Sequence, residues 1–250
     1  MKNLNQQVIS LINKYGDDYK SALRGNLNLE CFTALSPLRE NLLEWYSFRE
    51  DADLLQAGAD FGALTGLYTE RVKAVDVWDE SEESLDVVKA RQFGVRTFFS
   101  VPLEDLIREG KSYDYVVSTG GMKEPQNEWT ENLKALVKPG GILILAACNY
   151  FGLKYMAGSR RDDVSVTRGE LLKLFPGCTF YYPMPDYRFP SVIYSDHFLP
   201  RKGELSGMLP LYDFPQYTST DIGAGFETAC ENGQFADFAD SFLIFWKKGE

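Results

Sequence analysis

An α/β fold built on a doubly wound, mostly parallel sheet is what this sequence predicts. Three observations carry that expectation. Short apolar runs alternate with amphipathic stretches through residues 53–147. The first such run leads into a glycine-containing turn, "LLQAGADFGALTG" (54–66). A "VKPGG" helix stop and turn stands before the fifth run.

The elements follow in order. "QQVISLINKYGDDYKSALRG" (6–25) has helical spacing of apolar residues and breaks at Gly25. "LSPLRENLLEWYSF" (35–48) has a helix start signal, with Ser36 as cap and Pro37 in the first turn. Leu38, Leu42, Leu43 and Tyr46 would then share one face. Strands are expected at 53–57, 72–77, 95–100, 113–119 and 141–147, with helices at 62–70, 80–92, 103–109 and 127–137 between them. A helix at 167–175 and a strand at 178–184 follow. Residues 185–238 read as a loop-rich excursion, and 240–248 close the chain as a strand. A loop that long inside a compact domain is usually functional. The expected organisation is an N-terminal helical extension (1–50), a Rossmann-like domain (51–184 plus 239–250) and an insertion or substrate lid (185–238).

Bulk properties narrow the function. The chain has 250 residues, 44% of them hydrophobic, enough for one α/β domain with additions and a sizeable core. Its 26 basic and 36 acidic residues give a net charge of −10 with no basic run, which argues against a nucleic-acid or anionic-membrane partner. The apolar run "GGILILAACNYFGL" is too short to span a bilayer, and the N-terminus has no signal core. A cytoplasmic protein without membrane insertion is expected. Cysteines 31, 148, 178 and 230 form no metal-ligand spacing and read as reduced thiols. His197 is the single histidine, so no two-histidine metal site is available and no metal is expected.

The turn after the first strand is the main chemical signal. Counted from Gly58, the dinucleotide spacing G-x-G-x-x-G meets Asp60 and Ala63, whereas G-x-G-x-G meets Asp60 and Gly62. A pyrophosphate would pack on this turn beside the Asp60 carboxylate. Like charges about 4 Å apart repel by roughly 1 kcal/mol in water and about 4 kcal/mol at an effective dielectric of 20. That disfavours a nicotinamide oxidoreductase. S-adenosylmethionine has no phosphate, and its ammonium suits a carboxylate. Asp76, 18 residues after Gly58, reads as a strand-end acid for a ribose diol.

Residues 53–148 resemble a class I S-adenosylmethionine-dependent methyltransferase, through "LLQAGADFGALTGLYTERVKAVDV" and "LKALVKPGGILILAACN". More narrowly, "LSPLRENLLEWYSF", "NYFGLKYMAG", "YYPMPDYRFPSVIYSDHFLP" and "GFETACENGQFADFADSFLIF" resemble a bacterial subgroup that accompanies surface-glycan glycosyltransferases. The resemblance implies a Rossmann-like seven-stranded sheet and S-adenosylmethionine as cofactor. It further implies a small-molecule or glycan acceptor, methylated on a sugar hydroxyl, and a role in polysaccharide biosynthesis beside a glycosyltransferase. It implies cofactor contacts from Gln56, Gly58, Ala59, Asp60, Gly62, Asp76, Val77, Leu103 and Gly120. Three positions depart from the family: Gln56 replaces its strand-one acid, Asp60 its middle glycine, and Pro102–Leu103 its adenine-side Asp or Asn. The acid missing at 56 and the acid present at 60 keep one acid near the methionine end.

A sugar hydroxyl acceptor needs a base, and the candidates are Asp186, Asp196 and His197. Acceptor contacts are expected from Arg39, Asn149, Tyr150, Tyr182 and Tyr187. Asn149 and Tyr150 qualify because ligands sit at the carboxyl ends of parallel strands. The alternative is a methyltransferase-fold protein that has lost catalysis and serves as a binding or scaffolding subunit.

Overall fold

The computed structural model describes residues 4–16, 18–26, 28–122, 127–160, 164–208, 211–213 and 219–249. The chain forms two compact units. One holds Met1–Gly120, Asn132–Ile142 and Lys248–Glu250; the other holds Gly121–Glu131 and Leu143–Lys247.

The first unit begins with α1 (Leu4–Tyr15), α2 (Tyr19–Arg24) and α3 (Leu29–Leu35). Asp18 accepts the Ser21 N–H and caps α2. Val8, Leu11, Ile12, Ala22, Cys31, Ala34 and Leu35 bury one cluster with Val87, and Phe61 packs against it. Ser36 caps the next turn as expected, accepting from Leu38 N at 3.3 Å. The element is a 3-10 helix, Pro37–Leu42, and not the longer α-helix expected. Three residues per turn eclipse i and i+3, so the α-helical face is lost. Leu38 is exposed while Leu42 and Leu43 are fully buried.

Four strands follow: β1 (Asp53–Ala57), β2 (Ala74–Trp78), β3 (Thr97–Phe99) and β4 (Tyr113–Ser118). They run parallel in the order β3-β2-β1-β4. Leu54, Leu55, Val75, Val77, Val116 and Val117 are buried, as continuous apolar strands of a doubly covered sheet should be. Helices α4 (Thr65–Arg71), α5 (Glu82–Ala90) and α6 (Leu103–Arg108) stand where the pattern placed them. Helix α7 (Asn127–Ala135) follows β4.

Strand β5 (Val137–Asn149) starts in the first unit and ends in the second. There the order is β6-β5-β9-β7-β8, with β6 (Ser165–Val166) parallel to β5. Strand β7 (Thr179–Met184) is antiparallel to both β8 (Val192–Ser195) and β9 (Ser241–Lys247). Helix α8 (Leu153–Met156) follows β5, and α9 (Arg168–Leu174) follows β6. Thr167 and Glu170 form a capping box on α9, which sets its start.

The α/β class holds, but the strand number does not. The described residues contain nine strands where seven were expected. The additions, β6 and β8, are too short to show period-2 patterning. The expected excursion is also more ordered than its composition suggests. It holds β8, α10 (Ile222–Glu231) and α11 (Phe235–Phe238), while 209–210 and 214–218 lie outside the described residues. Among the described residues no helix is long and apolar enough to cross a membrane. They also contain no group of three or more His, Cys, Asp or Glu able to hold a metal ion.

Candidate functional site

The turn after β1 is held in an unusual backbone conformation. Asp60 and Phe61 both have positive φ, 42° and 54°, followed by Gly62 at 71°. Non-glycine residues held this way are each strained by about 1–3 kcal/mol, and persist only where the surroundings fix them. Here the surroundings do. Gln56 Nε2 donates to Gly58 O at 2.9 Å and Ala59 O at 3.0 Å, and Thr65 Oγ1 donates to Gln56 Oε1 at 2.6 Å. Arg91 Nε donates to Phe61 O at 2.6 Å, and its Nη2 donates to Ala34 O at 2.5 Å. Arg39, in the 3-10 helix, donates from Nη2 to Asp60 Oδ2 at 2.5 Å. Gly120 is bare where the turn passes: a Cβ there would meet the Asp60 Cβ at 3.1 Å.

Two departures from the family pattern thus acquire physical reasons. Position 56 must donate two hydrogen bonds to carbonyls, which an amide can do and an ionised carboxylate cannot. The Asp60 charge is balanced by Arg39, a buried residue supplied by the N-terminal segment. Arg39, expected at an acceptor, pairs with Asp60 and braces the turn. The third departure, Pro102, is the N-cap of α6 and makes no side-chain cap. Leu103 after it is buried, as are Ala59 and Val77.

The strand-end acid needs correction. Asp76 lies inside β2, buried and held by three hydrogen bonds. It accepts from Arg96 Nε at 2.9 Å, Arg96 Nη2 at 2.7 Å and the Tyr113 hydroxyl at 2.9 Å. Burial and the Asp76 charge together push the Tyr113 phenol well above its ordinary pKa. The acid past the end of β2 is Asp79. Its Oδ2 accepts from Ala59 N in the turn at 2.8 Å, and its Oδ1 from Ser81 N at 2.9 Å. The sequence reading ended the strand one residue early, at Val77, and so took Asp76 for the strand-end acid. Helix α5 is capped by Ser81.

The second unit contains a buried ionic cluster. Lys154 Nζ donates to Asp186 Oδ2 at 2.8 Å and to Asp213 Oδ2 at 3.2 Å. The Tyr212 hydroxyl also reaches Asp186, at 2.8 Å. Burial works against the Asp186 charge, but Lys154 and Arg188 outweigh it and hold the carboxyl below its usual range. Asp186 is therefore poorly placed as a general base, because its charge and lone pairs are committed to Lys154 and Tyr212. Asp240 completes the cluster: its Oδ1 accepts from Lys154 N at 2.9 Å, and its Oδ2 is buried with no hydrogen-bond partner among the described residues.

Burial, with Asp186 and Asp213 nearby, pushes the Asp240 carboxyl up to about 7. A raised carboxyl favours folding while protonated. Its contribution is complete below the unfolded carboxyl's pKa, near 4, and is lost as pH rises toward 7. An Asp240→Asn variant should therefore melt higher than the parent at pH 8, with the gap closing toward pH 4. Melting curves across that range check this; a gap independent of pH would refute it.

The chain matches no family model, and no curated protein matches it. Solved structures do match. Phosphoethanolamine N-methyltransferase 1 of Haemonchus contortus, in complex with phosphoethanolamine and S-adenosylhomocysteine, is 12% identical with a TM-score of 0.55. The match covers 99% of this chain and 49% of that one, so this chain spans about half its length. The fold is that of the class I methyltransferases. The N-methyltransferase NodS of Bradyrhizobium japonicum WM9, in complex with S-adenosylhomocysteine, is 11% identical over 98% of this chain and 99% of that one, with a TM-score of 0.49.

On this methyltransferase fold, several expected acceptor contacts turn out to be structural. Asn149 is fully buried, donates to Asp237 O and Ala239 O at 2.7 Å each, and accepts from Phe151 N at 3.0 Å. It fastens the end of β5 to the chain before β9. Tyr187 is buried too. The Tyr182 ring packs among Phe180, Phe235 and Phe242, and its hydroxyl donates to Asp196 Oδ1 at 2.5 Å. Asp196 also pairs with Arg168 at 3.2 Å. Tyr150 is half exposed and meets Phe151 edge to face. His197 is exposed beside Asp196.

Proposed function

We propose that this chain is an S-adenosylmethionine-dependent methyltransferase acting on a small molecule or glycan, with O-methylation of a sugar hydroxyl as its specific reaction. A glycosyltransferase that builds the acceptor, and a cytoplasmic setting, belong to the same proposal. The observation that carries the reading is the Arg39–Asp60 pair in the turn. The pair is zwitterionic, and so is the methionine end of the cofactor. Asp60 suits its ammonium. Arg39 suits its carboxylate, and Arg39 Nε is a buried donor with no partner among the described residues. Asp79 suits the ribose diol, since it is a carboxylate just past the end of β2, held against the turn by Ala59 N.

S-adenosylmethionine supplies an electrophilic methyl group. The protein's share is to hold the acceptor oxygen in line with it, worth up to about 7–11 kcal/mol in favourable cases, and to accept the hydroxyl proton. With Asp186 committed to Lys154 and Tyr212, and Asp196 to Arg168 and Tyr182, the base role falls to His197. The scaffold alternative drew on positions 56, 60 and 102. Two of these now have partners that build the turn, and that favours a working site.

Thermal unfolding with S-adenosylmethionine, S-adenosylhomocysteine and NAD tests the proposal. Ligand at about 100 times its Kd adds about 2.7 kcal/mol, or roughly 5–10 °C for a chain of this size. A shift with either sulfur ligand and none with NAD is expected. No shift at millimolar sulfur ligand, or a shift with NAD alone, would overturn it.

A further inference from the structure

The carboxyl ends of two parallel strands lead into one cleft. Phe151 lies two residues past β5, and Thr167 and Arg168 directly follow β6, whose Val166 pairs with Asn149. With Gln234, Asp237 and Phe238 they line a cleft of about 540 Å³, formed wholly within the second unit. That size lies in the small-molecule range of roughly 300–1,000 Å³, and carboxyl ends of parallel strands are where open α/β sheets place ligands.

The lining specifies a chemistry. Phe151 and Phe238 give the cleft aromatic walls, and Phe151 is itself fixed edge to face against Tyr150 at 5.4 Å. Arg168 is the one cation of the lining among the described residues. Its Nε donates to the Tyr182 hydroxyl and its Nη2 to Asp196, at 3.2 Å each, and its guanidinium lies 4.8 Å from the Phe180 ring centroid. The guanidinium is thus held in place, while Nη1 has no hydrogen-bond partner among the described residues. Gln234 adds an amide that donates and accepts, and Asp237 adds an exposed carboxylate whose backbone carbonyl is anchored by Asn149. Thr167 contributes little, since its hydroxyl is used in the capping box of α9.

Aromatic surface beside a fixed guanidinium donor and exposed amide and carboxylate groups suits a neutral ring with apolar faces and a rim of hydroxyls. An anion fits less well. The Arg168 charge is already balanced by Asp196, and Asp237 would repel a phosphate.

We infer that this cleft binds a neutral saccharide ring, stacked on Phe151 or Phe238 and hydrogen-bonded by Arg168 Nη1, Gln234 and Asp237. The inference names a site for the acceptor class proposed above and rests on that reading for its role, yet binding at the cleft needs no cofactor. It can therefore fail or succeed separately from the methyltransferase reading.

The test is saturation-transfer NMR and calorimetric titration of the full chain, without S-adenosylmethionine. The probes are methyl glycosides of glucose, mannose and galactose, and N-acetylglucosamine. At least one should bind at millimolar concentration or better. Gln234→Ala and Asp237→Asn change exposed side chains and should keep the parent melting temperature. Each should weaken that saccharide about tenfold, and inorganic phosphate should not displace it. Absence of binding by all four probes would overturn the inference, as would binding that both variants leave unchanged. Displacement by phosphate would overturn the assignment of a neutral ligand.

Discussion

Replacing Lys154 by methionine should be among the most damaging single changes in this protein. The lysine is almost fully buried and faces Asp186, Asp213 and Asp240. Burial alone would lower its pKa, but the three carboxylates reverse that and hold the ammonium charged. Methionine fits the volume and removes the cation that pairs with both Asp186 and Asp213. Breaking a buried pair from one side typically costs about 3–5 kcal/mol, because the remaining charge is left desolvated. For a chain this long, that is a fall in melting temperature of roughly 6–20 °C. The loss should shrink in acid. Without Lys154 the carboxylates would hold their protons more tightly folded than unfolded, so their penalty appears as pH rises through their raised pKa values. Melting curves of Lys154→Met at pH 5 and pH 8 check both statements. A fall of under about 1 kcal/mol at pH 8, the scale of a surface ion pair, would mean that the cluster is not a buried pair in solution.

The Arg39–Asp60 pair predicts a non-additive pattern. Arg39→Leu leaves the Asp60 carboxylate in a tight turn with its ion-pair partner removed, and should cost about 3 kcal/mol. Asp60→Gly relieves the left-handed backbone at φ 42°, worth about 1 kcal/mol, but strands a buried guanidinium. Carrying both changes removes the two charges and the strain together. The double variant should return to within about 1 kcal/mol of the parent, a coupling of at least about 2 kcal/mol. Simple addition of the two losses would show that the residues do not act as a pair. All three variants should bind S-adenosylhomocysteine at least tenfold more weakly, the double variant included, since regained stability does not restore the charges.

The sequence showed the parallel half of the fold well and the antiparallel half poorly. Strand β1 fell at its expected bounds because Asp53 and Gly58 punctuate an unbroken buried run. Strand β8 was missed because Val192–Ser195 is four residues long and lies among prolines, glycines and aromatics that read as loop. The 3-10 helix at Pro37 gave the right cap and the wrong period, since a cap signals a start and not a pitch.

At the site, the glycine spacing located the turn but not what holds it. Arg39 and Arg91 lie far from the turn in sequence, and a lone arginine carries no pattern that says it will be buried. Asp76 and Asp79 were exchanged by one residue of strand length, an error that periodicity cannot detect in a strand buried on both faces. Asp186 looked like an available loop acid, because its partners Lys154 and Tyr212 lie 32 and 26 residues away.

The central claim is that the Arg39–Asp60 pair receives the amino-acid end of the cofactor. Calorimetric titration of the parent protein with S-adenosylhomocysteine and with 5′-methylthioadenosine, which lacks that end, tests it most directly. Two charge-assisted contacts at about 1.5–3 kcal/mol each predict that S-adenosylhomocysteine binds at least about a hundredfold tighter. The same titrations on Asp60→Gly should show most of that difference gone. Equal affinity of the parent for the two ligands, or tighter S-adenosylhomocysteine binding by Asp60→Gly than by the parent, would contradict the account.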